Sequence, residues 1–185
     1  MNETKKLSMT NETNIATEPV KPKKIDMTQA VVLFFKNYFN FSGRASRGEF
    51  WWFYLAYILA TIVCAVADVF IGGLFYGLTE SELISDLGLL SNILSLATLI
   101  GWVSLTARRL QDVGRTGWWQ LGYFIIIPAI ILWTLFIVFD GNTFLLLMSI
   151  IFSLASLALY ILIFVWLVSG PTQDENQWGR NPLLN

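Results

Sequence analysis

Polar and apolar positions divide this chain into a polar N-terminal stretch, one short amphipathic segment and four long apolar runs. From residue 1 to about 26 the residues are polar and follow no period, and Lys5, Lys6, Lys21, Lys23, Lys24, Pro19 and Pro22 are scattered among them. Such a segment has too little apolar surface to offset the entropy lost on ordering, so a disordered tail is expected. Its lysines are followed by no apolar core and no small-residue cleavage site, so it does not read as a signal peptide. Between residues 26 and 41, Val31, Phe34, Phe35, Tyr38 and Phe41 recur at helical spacing, with Lys36, Asn37 and Asn40 on the other side. About 20 residues are needed to cross about 30 Å of hydrocarbon. This shorter segment is therefore expected to lie in the membrane interface as an amphipathic helix, ended by Ser42 and Gly43.

The apolar runs cover about 50–70, 87–107, 117–139 and 144–168. Each is long enough to span a bilayer, and a helix is the open-chain form that satisfies its own backbone in lipid. Four buried helices of a soluble bundle would need polar faces that these runs lack. The expected fold is all-α: an integral membrane protein with four transmembrane helices in two hairpins, preceded by the interfacial helix. The membrane domain is expected over 27–182, with 183–185 as a C-terminal end. Pro128, near the centre of the third run, predicts a kink.

Composition agrees: 55% of the residues are apolar and only 14% are charged, where soluble domains run nearer a quarter charged. A formal charge of −1 points to no nucleic acid. One Cys and no His exclude a disulfide framework, a Cys/His zinc site and any His-dependent mechanism, and no metal or cofactor is expected. Cys64 reads as apolar filler. The 12 basic residues avoid the links at 79–86 and 140–143, which carry Glu80, Glu82, Asp86 and Asp140 instead. By the positive-inside rule both termini and the central link face the cytoplasm. The Asn-Glu-Thr sequons at Asn2 and Asn11 then have no meaning for glycosylation.

Three segments on that side carry distinctive residues. The first is Phe41-Ser42-Gly43-Arg44-Ala45-Ser46-Arg47-Gly48-Glu49-Phe50-Trp51-Trp52. Ser46 and Glu49 form a capping-box pattern, in which the Ser hydroxyl accepts from the Glu49 amide and the Glu side chain returns to the Ser46 amide. Trp51 and Trp52 sit at the depth indole prefers. The second is Ala107-Arg108-Arg109-Leu110-Gln111-Asp112-Val113-Gly114-Arg115-Thr116-Gly117-Trp118-Trp119. Arg108 and Arg109 complement a helix C-terminus, Gly114 supplies a turn, and Thr116 is a candidate cap for the next helix. The third is Trp178-Gly179-Arg180-Asn181-Pro182.

Together, in this order, the three motifs resemble the bacterial inner-membrane family known as domain of unknown function 805, the YhaH/YhaI type. The resemblance covers about residues 31–182. It implies a small polytopic inner-membrane protein and no particular activity. Gln111 stands where the family often has His, and Thr116 where it often has Ser, so a family-wide mechanism with that His as base does not carry over.

All six Lys occur by Lys36, whereas Arg44, Arg47, Arg108, Arg109, Arg115 and Arg180 lie near cytoplasmic helix ends. If the helices pack, these arginines are expected to converge in a belt with Glu49, Asp112 and Asn181. Arg offers a planar fork for phosphate or carboxylate. Two readings stand: a site for an anionic lipid headgroup or other phosphorylated ligand, or topology anchors and structural pairs such as Arg109–Asp112 and Arg47–Glu49. Asp68 is the one ionisable residue within an expected span, which suggests a proton carrier or cation ligand. It lies 18 residues past Phe50, about 27 Å along a helix, near the outer headgroups. No nucleophile–base pair is visible. The leading expectation is a non-catalytic protein that binds anionic phospholipid or partner proteins through the Arg/Trp belt. The alternative is an oligomeric transporter or channel using Asp68. The partners considered are the bilayer itself, other membrane proteins and further copies of the chain.

Overall fold

The computed structural model describes residues 24–79, 88–139 and 142–184. Most of the expected disordered tail, and Glu80, Glu82, Asp86 and Asp140, lie outside the described residues. Helix α1 (Met27–Lys36) leads into α2 (Arg47–Thr79) and α3 (Leu89–Asp112). A 3₁₀ segment, Gly117–Ile125, continues into α4 (Ile126–Val138), and α5 (Thr143–Val168) is followed by the short strands β1 (Glu175–Asn176) and β2 (Gly179–Arg180). Four helical segments are long and apolar enough to cross a membrane: Arg47–Leu74, Leu89–Asp112, Gly117–Val138 and Thr143–Val168. They form two hairpins, α2 with α3 and α4 with α5. The first and third keep nearly all of their apolar side chains on the outside. So large an apolar surface requires lipid around it.

The helix before the spans is present, capped by Asp26, whose Oδ1 accepts from the Gln29 amide at 2.7 Å. It is also docked on the bundle. Phe34 is fully buried and stacks on Phe53 with ring centroids 3.6 Å apart, while Trp102 meets its edge. Gly101 makes room for it: a Cβ at that position would stand 2.3 Å from Phe34 Cζ. Tyr38 donates to the Ala97 carbonyl at 2.7 Å and Ser104 to that of Asn37 at 2.8 Å. Full burial of one Phe contributes about 1.5–3 kcal/mol. The expected apolar face therefore divides, with Phe34 turned into the bundle and Phe35 left exposed.

The third span corrects the expectation for Pro128. Its first nine residues are 3₁₀, and Pro128 falls in the first turn of α4 rather than at a kink in mid-helix. A proline in a first turn costs little, because that N–H has scant intrahelical use. The 3₁₀ stretch lies close against its neighbours through two glycines. A Cβ at Gly117 would come 2.8 Å from Ala107 Cβ, and one at Gly122 2.5 Å from Leu159 Cδ2.

Candidate functional site

One end of the bundle is built from the start of α2, the last turn of α3 and the segment after α5. Ser46 begins α2, its Oγ accepting from the Glu49 amide at 3.1 Å. Only that half of the capping box forms. The Glu49 carboxylate turns away to Arg108, whose Nη1 donates to Oε1 at 2.7 Å. The reason is burial: Arg108 keeps 3% of its side chain exposed, and a desolvated cation needs a counter-charge far more than the Ser46 amide needs a second acceptor. The expected Arg47–Glu49 pair is therefore absent, and Arg47 is exposed.

Asp112 joins two further arginines. Its Oδ1 accepts from Arg44 Nε at 2.8 Å and its Oδ2 from Arg109 Nη1, the i, i+3 pair read from the sequence. Arg109 is fully buried and also donates to the Leu167 carbonyl at 3.0 Å and to that of Ser169, fastening the end of α5 to α3. Arg44 donates to Gln173 O at 2.9 Å and Gly179 O at 3.1 Å, so the β1–β2 hairpin closes over it. The Ala45 amide donates to the Arg108 carbonyl at 3.1 Å. Asn181, also buried, donates through its backbone amide to Asp174 O at 2.7 Å, and its side chain accepts from the Leu183 amide at 3.1 Å. No hydrophobic period in residues 175–180 announces the hairpin. Its signal was Gly179, held at φ +116° beside the turn.

The six arginines differ in burial. Arg44, Arg108 and Arg109 are buried in a lattice with Glu49 and Asp112, while Arg47, Arg115 and Arg180 are exposed. Arg115 lies over the Trp166 ring, 4.8 Å from Cζ to centroid, a cation–π contact. Trp119 meets the same indole edge-on at 5.1 Å. Trp118 and Trp52 are exposed, and Trp51 is half-buried against Phe50, Tyr54 and Phe164. Gly114 makes its turn with φ +75°. Thr116 precedes the 3₁₀ segment but makes no side-chain capping bond, against the expectation.

Three buried polar atoms have no partner among the described residues: Nε and Nη2 of Arg108, and Oε1 of Gln111. Arg108, Glu49 and Arg44 line a cleft of about 500 Å³ together with Ile25, Thr28, Gln29, Val32 and Leu33. Gln111 donates to the Phe41 carbonyl at 3.0 Å and lines a second cavity, of about 390 Å³, with Trp118 and Trp178. Among the described residues no three His, Cys, Asp or Glu side chains gather as a metal site would require.

Asp68 stands apart, towards the opposite end of α2. Its carboxylate accepts from the Leu90 amide at 2.8 Å, the Ser91 amide at 2.9 Å and the Ser91 hydroxyl at 2.7 Å. It acts as an N-terminal cap for α3, supplied from a neighbouring helix. Gly88, at the cap position itself, has no side chain to offer.

Residues 38–180 match the family described as protein of unknown function DUF805. The chain is similar to inner membrane protein YhaH of Escherichia coli strain K12, with 35% identity over 105 residues that cover 57% of this chain and 78% of that protein. It is also similar to inner membrane protein YhaI of the same strain, with 40% identity over 90 residues that cover 49% of this chain and 66% of that one. No solved structure matches the chain.

Proposed function

Since the chain belongs to the DUF805 family, we propose that it is a polytopic inner membrane protein whose arginine-rich end faces the cytoplasm and binds anionic phospholipid there. The observation that carries this reading is a charge imbalance. Three buried guanidiniums share two buried carboxylates, Glu49 and Asp112. A desolvated cation without a full counter-charge is costly, and an anionic headgroup supplies that charge from the surface in which this end sits. The cytoplasmic assignment rests on the basic residues, none of which occurs in 79–86 or 140–143.

The transporter reading has less support, because both oxygens of Asp68 are engaged in capping α3. Native mass spectrometry of the full chain, extracted in mild detergent, tests the lipid reading. Bound phosphatidylglycerol or cardiolipin, enriched over its share of the membrane, is the expected result. Chains that carry only phosphatidylethanolamine, or no lipid, overturn it.

A further inference from the structure

We propose that one anionic phospholipid seats in the cleft beneath α1, its phosphate on the Nε–Nη2 edge of Arg108 and an acyl chain against Ile25, Val32 and Leu33. This assigns a place and a ligand class to the lipid binding proposed above and rests on that reading. The three buried arginines differ in what they have left to donate. On Arg44, Nε, Nη1 and Nη2 all find acceptors in Asp112 and the carbonyls of the C-terminal segment. Arg109 likewise uses all three nitrogens. Arg108 spends only Nη1, on Glu49, and keeps Nε and Nη2 unpaired although buried.

Those two nitrogens lie on one edge of the guanidinium, with parallel N–H bonds. That geometry takes two oxygens of a phosphate or carboxylate at once. Buried donors left unpaired are costly, the more so on a charged group, so the edge favours an anion over no ligand. Glu49, already held by Nη1, repels an anion from its own side; Nε and Nη2 are themselves closed to solvent, so an anion reaches that edge only as neighbouring side chains move aside.

The opposite wall of the cleft says what the anion is attached to. Ile25, Val32 and Leu33 supply apolar surface there, beside the polar Thr28 and Gln29, and Val32 is 60% exposed. A free phosphate ion makes no use of that wall, whereas a lipid presents a phosphate and a hydrocarbon chain a few bonds apart. Asn40 and Ser42, on the loop between α1 and α2, add neutral polar groups beside Arg44 at the headgroup end.

The test is native mass spectrometry of the delipidated full chain after adding, separately, phosphatidylglycerol, phosphatidylcholine or inorganic phosphate. Arg108→Gln alone strands Glu49, so it is paired with Glu49→Gln. Val32→Glu, at an exposed position, places an acid on the apolar wall without touching the ion pairs. Wild type is expected to retain one phosphatidylglycerol, with retention about tenfold or more weaker in Arg108→Gln/Glu49→Gln and clearly reduced in Val32→Glu. Arg108→Lys, which keeps the charge but loses the planar fork, should fall between. Equal retention by wild type and both cleft variants, with loss in an Arg47→Gln/Arg115→Gln/Arg180→Gln triple variant, would overturn the cleft and leave the anionic-lipid reading standing. Inorganic phosphate bound as well as the lipid would overturn the lipid part of the assignment. Phosphatidylcholine retained as well as phosphatidylglycerol, or no lipid retained at all, would overturn both.

Discussion

At the scale of single residues, the buried carboxylates carry more than their number suggests. Asp112 serves Arg44 and Arg109 together, so its loss strands two desolvated cations. Breaking one buried pair from one side costs about 3–5 kcal/mol, and Asp112→Ala is expected to cost at least as much. The full chain should then fail to accumulate in the membrane, as a membrane-fraction immunoblot would show, and wild-type levels would contradict the account. Asp68 predicts a graded effect. Removing an N-terminal cap costs about 1 kcal/mol, so thermal unfolding in detergent should rank wild type above Asp68→Asn and that above Asp68→Ala, since Asn keeps one acceptor oxygen. Much of this chemistry lies beyond what the sequence shows locally. The Arg109–Asp112 pair and the Ser46–Glu49 cap are three residues apart and could be read directly. Glu49 with Arg108 spans 59 residues and Asp68 with Ser91 spans 23, and no local spacing announces either.

At the scale of elements, the spans were legible because a bilayer demands unbroken apolar length, and length is a local property of the sequence. The seating of α1 was not. Its apolar positions, spaced for a helix on a membrane surface, serve as well for a helix against a bundle. What decides between them is Gly101, far along the chain on α3, where the absent side chain admits Phe34. Gly101→Ala should therefore push α1 outward, and hydrogen exchange across 27–36 should quicken. Phe34→Ala leaves a cavity, a change that costs about 3–5 kcal/mol for a buried Phe. The double variant should be more stable than the sum of the two single costs implies, because the new methyl then loses its two clashes with the Phe34 ring and still meets Tyr38 Cδ2, at 2.7 Å. Strict additivity would mean that the two residues do not meet. The third span is similar: a proline read in isolation suggests a kink, but the segment before it, packed closely at Gly117 and Gly122, is 3₁₀, which leaves Pro128 in a first turn.

For the whole molecule, the arginine lattice occupies one end of the bundle and the Asp68 cap lies towards the other. Orientation in the membrane can be checked by single cysteines in a Cys64→Ala background. Asn142→Cys and Ser81→Cys should react with a membrane-impermeant thiol reagent in intact cells, while Thr116→Cys and Gln177→Cys should react only after lysis. Thr116 and Gln177 suit this purpose because both are exposed, whereas nearby Gln111 is buried. Labelling of Thr116→Cys in sealed cells would reverse the assignment and put the arginine-rich end at the outer leaflet. The hairpin over Arg44 also sets an order of events during synthesis. Arg44 leaves the ribosome about 130 residues before Gln173, Asp174 and Gly179 do, at a translation rate of about 5–20 residues per second. For several seconds the nascent protein holds a guanidinium whose final acceptors do not yet exist, so the clasp closes only after all four spans have been made. Closure of that end thus reports that the whole membrane domain has been translated, and a chain stopped after Pro171 would leave Arg44 its bond to Asp112 but none of its carbonyl acceptors in the C-terminal segment.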